Sequence, residues 1–252
     1  MIETLYNKFA FPDAAYLGKR VFKTLFHEHA ALTAADKSAL TDDVDTIVWQ
    51  YTLKPGTFPV VPFVDDQREY LEVAVIQVGL KTQKRTARIN EVIHRAIPYP
   101  VVIVFVFGSQ FAMGVAHKRF HQSQKNQIVA EDIGLTEWID LSSPSPVQAA
   151  FLESLKLLTL PSSHFLSVYT GLVDRIVALE CARLSNVFRV ENAADQREAR
   201  RQRLIACHDL ELQLADRRAA AKRESQVNRL VALNLEIKRM EGDLQRIAQG
   251  LA

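Results

Sequence analysis

An α/β body followed by an all-helical arm is the fold class that this sequence of 252 residues predicts, and three patterns predict it. Val101–Phe107 is a near-continuous run of valine, isoleucine and phenylalanine, the composition of a strand buried on both faces. Ahead of it lie an alternating stretch over 70–80 and a helical pattern over 87–97, the order of a strand, helix, strand unit. Beyond Ser142-Ser143-Pro144-Ser145-Pro146 no strand pattern recurs, and the chain ends in a leucine-rich heptad. A mixed sheet flanked by helices, then a helical arm with a short coiled coil, is therefore expected.

The elements follow in order. Residues 17–32 place apolar side chains at 17, 21, 22, 25 and 26, a helical rhythm. Thr33 with Asp36 three residues on forms a capping box, so a second short helix is expected over 33–40. Residues 46–53 are β-branched and aromatic, and Lys54-Pro55-Gly56 ends that strand. Residues 58–64 contain Pro59 and Pro62, which cannot donate to a ladder, so an edge strand or extended loop is expected. In 70–80 both faces carry apolar residues; Pro98-Tyr99-Pro100 stops the helix that follows. Gly108-Ser109 makes a turn, 111–117 returns as a hairpin partner, and 136–141 reads as a last strand. The sequence thus divides into an α/β domain (1–141), a linker (142–146), a helical connector (147–189) and a long arm (190–252).

In the arm, Leu230, Leu233, Ile237, Met240, Leu244, Ile247 and Leu251 step by 3, 4, 3, 4, 3 and 4 residues, an unbroken heptad seam. Three heptads are short for an autonomous coil, so the seam is expected to pack on preceding helices, on a second copy or on a partner.

Composition excludes several classes. A formal net charge of +2 is too small to signal nucleic-acid binding by itself. Met1 to Phe11 carries Glu3 and no apolar core, so no leader is expected, and no apolar run approaches the ~20 residues of a membrane span. A soluble, cytoplasmic protein is expected. Cys181 and Cys207 match no redox or zinc spacing and read as buried free thiols. No phosphate-cradling glycine loop and no nucleophile elbow is present, so neither a nucleotide cofactor nor any other is expected.

Several constellations remain. His117 and His121 stand four apart, a helical metal-ligand spacing, but they straddle Lys118-Arg119 and lack a third ligand; no metal is expected. His27 and His29 read as favourable charges near a helix end. Lys81, Lys84, Arg85, Arg88 and Arg95 outnumber Glu91, and Lys118, Arg119 and Lys125 form a second basic cluster. Both lie just beyond strands of one sheet, which allows convergence on one DNA-binding edge, against the favoured alternative of solvated faces. A metal-dependent nuclease would draw on Asp65 (or Asp66), Glu72 and Lys81, although the lysine falls far from its usual place two residues after the glutamate.

Met1-Ile2-x-x-Leu5-Tyr6 with Phe11-Pro12, the 45–55 segment, Ile97-Pro98-Tyr99-Pro100 after Ile93-His94-Arg95, Ala116-His117-Lys118-Arg119, and Gln226-Val227-Asn228-Arg229 with Leu233-Asn234 together resemble the bacterial domain-of-unknown-function family numbered 4391. The likeness runs over nearly the whole chain, and the IPYP and HKR segments are its most distinctive parts. It implies no catalytic residues. Because members tend to be encoded beside helicases and DNA methyltransferases in defence loci, it implies a non-enzymatic accessory subunit, recruiting such a partner through the arm and touching DNA through the basic edge. Asn228 and Asn234 flank the seam, where asparagine fixes register in some coiled coils. A divergent nuclease and a purely structural homo-oligomer are the alternatives.

Overall fold

A seven-stranded mixed sheet organises the N-terminal part of the chain. In the computed structural model, residues 2–29, 32–121 and 127–252 are described, the side chains of 27–29 excepted. The elements of the first part are α1 (Ile2–Phe9), β1 (Tyr16–Arg20), α2 (Lys23–His29), α3 (Ala34–Ser38), β2 (Val44–Leu53), β3 (Phe63–Val64), β4 (Glu69–Tyr70), β5 (Val73–Leu80), α4 (Thr86–Ala96), β6 (Val101–Phe107), β7 (Gln110–Phe120), β8 (Ile128–Leu135) and β9 (Ile139–Asp140). Four helices follow: α5 (Pro146–Ser154), α6 (Phe165–Ser185), α7 (Ala194–Arg223) and α8 (Val227–Gln249).

The sheet order is β1-β2-β5-β6-β7-β8, with β9 also on β7, and β3–β4 form a separate ribbon. β5 and β6 are parallel, with Ile76 opposite Ile103, as the α4 crossover between them requires. Every other pairing is antiparallel. Ala74, Ile76, Val78, Ile103 and Phe105 form the face that buries Ile89, Val92 and Ile93 of α4. On the opposite face the Tyr6 hydroxyl of α1 donates to Gln77 (2.9 Å), and Tyr169 of α6 reaches the strand backbones.

The expected fold class is the one observed, with local differences. Residues 17–20 belong to β1, not to a helix: Gly18 takes a left-handed φ of +60°, and the segment pairs with Val48, Trp49 and Tyr51. The helix begins only at Lys23. The capping box is present, with the Thr33 hydroxyl accepting from the Asp36 amide and the Asp36 carboxylate accepting from the Thr33 amide. β7 continues through Lys118-Arg119 to Phe120, and β8 follows it, a strand the sequence pattern does not announce.

The chain parts into two units, Met1–Ile176 and Val177–Ala252, with the division within α6. Within 142–146, Ser145 and Pro146 shape the start of the next helix. Ser145 and Gln148 form a reciprocal capping box with Pro146 at the first turn of α5. The connector helices before Ile176 belong to the first unit.

The second unit holds an antiparallel helical hairpin. Arg217 pairs with Glu236 (3.2 Å) and Arg218 with Glu241 (2.6 Å), near the connection between α7 and α8. At the far end Arg200, buried in α7, donates from Nε (3.0 Å) and Nη2 (2.6 Å) to the Leu251 carbonyl. Cys181, Leu204, Cys207 and Leu251 form its core, joined by Leu244 and Ile247.

Candidate functional site

The strands decide which of the sequence-predicted residues meet. Glu72 immediately precedes β5 and Lys81 immediately follows it. At 3.3 Å per residue they stand roughly 25–30 Å apart. Asp65 sits in the β3–β4 turn, where its Oδ1 accepts from the amides of Gln67 (2.8 Å) and Arg68 (2.6 Å). The fold therefore does not assemble Asp65, Glu72 and Lys81 into one site.

Most of the first basic cluster stays apart from the second, Arg95 at the far end of α4 being the exception. Lys81, Lys84, Arg85 and Arg88 lie beyond the carboxyl end of β5, whereas β7 runs antiparallel to β6 and carries Lys118 and Arg119 to the opposite end of the sheet. Charge is consumed as well. Arg85 binds Asp43 (2.5 Å) and Asp42 (3.1 Å), Arg88 binds Asp36 (2.7 Å), and Arg95 binds Glu91 (2.5 Å). Arg119 pairs with Glu131. Lys81 and Lys84 stay exposed. Lys125 lies outside the described residues.

His117 lies in β7 and His121 just past its end, so the pair is not on a helix; along a strand that spacing separates residues by about 13 Å instead of stacking them. His117 is buried, its Nδ1 2.9 Å from the Tyr70 hydroxyl. The side chains of His27 and His29 lie outside the described residues. Cys181 and Cys207 are buried and free, and burial raises both thiols, Cys181 to about 11. Among the described residues no group of three or more histidines, cysteines, aspartates or glutamates is placed to hold a metal, and no helix is long and apolar enough to cross a membrane.

The structure instead brings together the two segments that carry the family likeness. Lys118 of β7, only 2% exposed, donates from Nζ to the carbonyl of His94 in α4. Burial lowers its ammonium to about 7. His94 is fully buried; burial first, then the charge of Lys118, lowers its imidazole to about 3, so the ring is neutral at pH 7. Neither His94 ring nitrogen makes a hydrogen bond of normal geometry, nor does Asn90 Oδ1 one turn earlier. Asn90 Nδ2 is anchored on the Gly134 carbonyl (3.2 Å).

On the other face of β7 the Tyr70 hydroxyl accepts from the Lys118 amide (2.9 Å). The Tyr169 hydroxyl accepts from the Ala116 amide (2.9 Å) and lies 2.8 Å from the Val101 carbonyl. A cleft of about 240 Å³ opens beside these groups, lined by Glu72, Pro98, Tyr99, Lys118 and Arg119. Burial and the Glu72 charge raise the Tyr99 phenol to about 12. The cleft presents the Glu72 carboxylate and the Tyr99 phenol, while the Lys118 amine behind its wall is turned inward to the His94 carbonyl. Its sequence signal was the pair IPYP and HKR; what concealed it was that HKR reads as a surface loop and forms the end of a buried strand.

In the second unit the seam is occupied within the chain. Leu244, Ile247 and Leu251 join the hairpin core, and Leu230, Leu233, Ile237 and Met240 are half-buried. A different stripe is open: Val227, Val231 and Leu235, spaced four apart on α8, are 71%, 52% and 57% exposed. Asn228 and Asn234 are exposed as well.

These features define a mixed α/β unit, which carries a polar cleft, and a second unit with a helical hairpin. The chain belongs to the family described as domain of unknown function DUF4391, whose model matches residues 9–244. No curated protein and no solved structure matches it.

Proposed function

We propose that the chain is a non-enzymatic, cytoplasmic accessory subunit of a bacterial DNA-directed defence system, docking a protein partner through the outer face of α8. The observation that supports this reading is the Val227, Val231, Leu235 stripe, exposed while the neighbouring heptad is satisfied against α7. Helices bury such i, i+4 stripes against a partner's groove. Arg223, Arg229, Lys238 and Arg239 border the stripe in sequence, which favours an acidic surface on the partner. A helicase or DNA methyltransferase encoded alongside fits the genomic tendency of the family's members. DNA contact, if the assembly makes it, falls to Lys81 and Lys84, the exposed cations of the first cluster.

Co-expression with the neighbouring helicase or methyltransferase tests the proposal. Replacing Val227, Val231 and Leu235 by serine leaves the seam intact and is expected to abolish co-purification. Undiminished recovery rejects the docking face. Light scattering over a concentration series addresses the rival occupant: a mass that doubles with concentration, and reverts in the triple variant, assigns the stripe to a second copy and makes the protein a homo-oligomer.

A further inference from the structure

A second, larger chamber lies on the α4 face of the sheet, in the first unit, and shares Pro98, Tyr99 and Ile128 with the polar cleft. Its volume is about 890 Å³, within the range of small-molecule sites. The wall is built by Phe26 and Leu25 of α2, Trp49 of β2, Ile76 of β5 and Val92 and Ala96 of α4.

Three observations define what fits it. The rings of Trp49 and Tyr99 stack on each other with centroids 5.7 Å apart and planes 27° from parallel, an aromatic pair in the chamber wall. The Trp49 ring is fixed, because Nε1 donates to the Thr52 hydroxyl (2.8 Å) and the Tyr51 carbonyl (3.1 Å). Among the described lining residues the two charged side chains already have partners: Asp36 accepts from Thr33 and Arg88, and Arg95 binds Glu91. An ionic ligand would meet no unmatched charge among the described lining residues and would bear the cost of its desolvation. A neutral ring faces no such cost and gains the apolar area it covers.

We infer that this chamber is a binding site for a neutral small molecule with a planar, largely apolar body, which packs against the Trp49–Tyr99 pair. The site is independent of the α8 docking face and adds a ligand-binding function to the first unit.

Titration of the full chain with N-phenyl-1-naphthylamine tests this, with its sulfonated analogue 8-anilinonaphthalene-1-sulfonate as the anionic control. Trp49 and Trp138 are the two tryptophans, so a Trp138→Phe background leaves energy transfer to the dye from Trp49 alone. Saturable one-to-one binding is expected, at least tenfold tighter for the neutral dye. Ala96→Phe, which fills the chamber from the end of α4, is expected to weaken it at least tenfold. Leu25→Asp charges an exposed part of the wall without demanding repacking, and decides the matter if Ala96→Phe does not fold. Non-saturable binding, equal affinity for the anion, or a Leu25→Asp protein that binds as the parent does would each overturn the assignment.

Discussion

Lys118 Nζ donates to the carbonyl oxygen of His94, tying the last residues of β7 to the final turn of α4 inside the protein. The bond satisfies a helix carbonyl that would otherwise lack a partner, and it holds an amine where water does not reach. Lys118, read from the sequence as part of a basic surface, is therefore held in an interior contact.

That contact predicts an unusual alkaline response. The folded-state ammonium titrates near 7 and the unfolded one near 10.5, so between these values the unfolded chain binds the extra proton. Stability must then rise with pH from 7 upward, by about 1 kcal/mol per unit from this group, and must gain nothing from it below pH 7. Urea midpoints at pH 7, 8 and 9 are expected to increase in the parent relative to Lys118→Met. Parallel profiles for the two proteins would refute the titration.

Gly114 lies where a Cβ would stand 1.9 Å from Asn90 Oδ1, so Gly114→Ala must displace the Asn90 side chain. A loss of about 1–3 kcal/mol is expected, typical of an overpacked core. Asn90→Ala removes the obstacle. In a double-mutant cycle measured by chemical denaturation, the second substitution is expected to recover part of the loss, and strict additivity would contradict the contact.

Tyr169 closes a gap in the ladder. Paired residues of β6 and β7 end at Ile103 and Gly114, and beyond them the Tyr169 hydroxyl serves Ala116 and Val101. Tyr169→Phe leaves the buried Ala116 amide without its acceptor and is expected to cost about 1–3 kcal/mol. Faster amide exchange at Ala116 would report the same defect, and an unaltered rate would count against it.

Plasmid incubated with the protein and Mg²⁺ or Mn²⁺ is expected to remain intact, because Glu72 and Lys81 occupy opposite ends of β5. Metal-dependent cleavage that disappears in Glu72→Ala would reinstate a nuclease.

The architecture was legible where local pattern and tertiary environment agree, as in Val101–Phe107, the Thr33–Asp36 capping box and the heptad of α8. It was illegible where pairing overrides local rhythm. Leu17, Val21 and Phe22 keep helical spacing, yet Tyr16–Arg20 pairs with β2 once Gly18 turns left-handed. Ile128–Leu135 hides as a strand because Glu131, Asp132 and Gly134 interrupt alternation, with Asp132 at a φ of +49°. The basic clusters misled for a related reason. Arg85 and Arg88 meet Asp42, Asp43 and Asp36 more than forty positions away, partners that only the fold reveals.

Exposed β1 has a consequence for how copies of the chain avoid one another. It terminates the sheet with every residue open to solvent, a position where naked amides invite another strand to dock. Gly18 takes a left-handed φ and shifts the register with β2, and Lys19 and Arg20 place like charges along that rim. Fibrillar stacking through this border is thereby discouraged, and Gly18→Val combined with Lys19→Thr should convert a protected margin into a nucleus for aggregation.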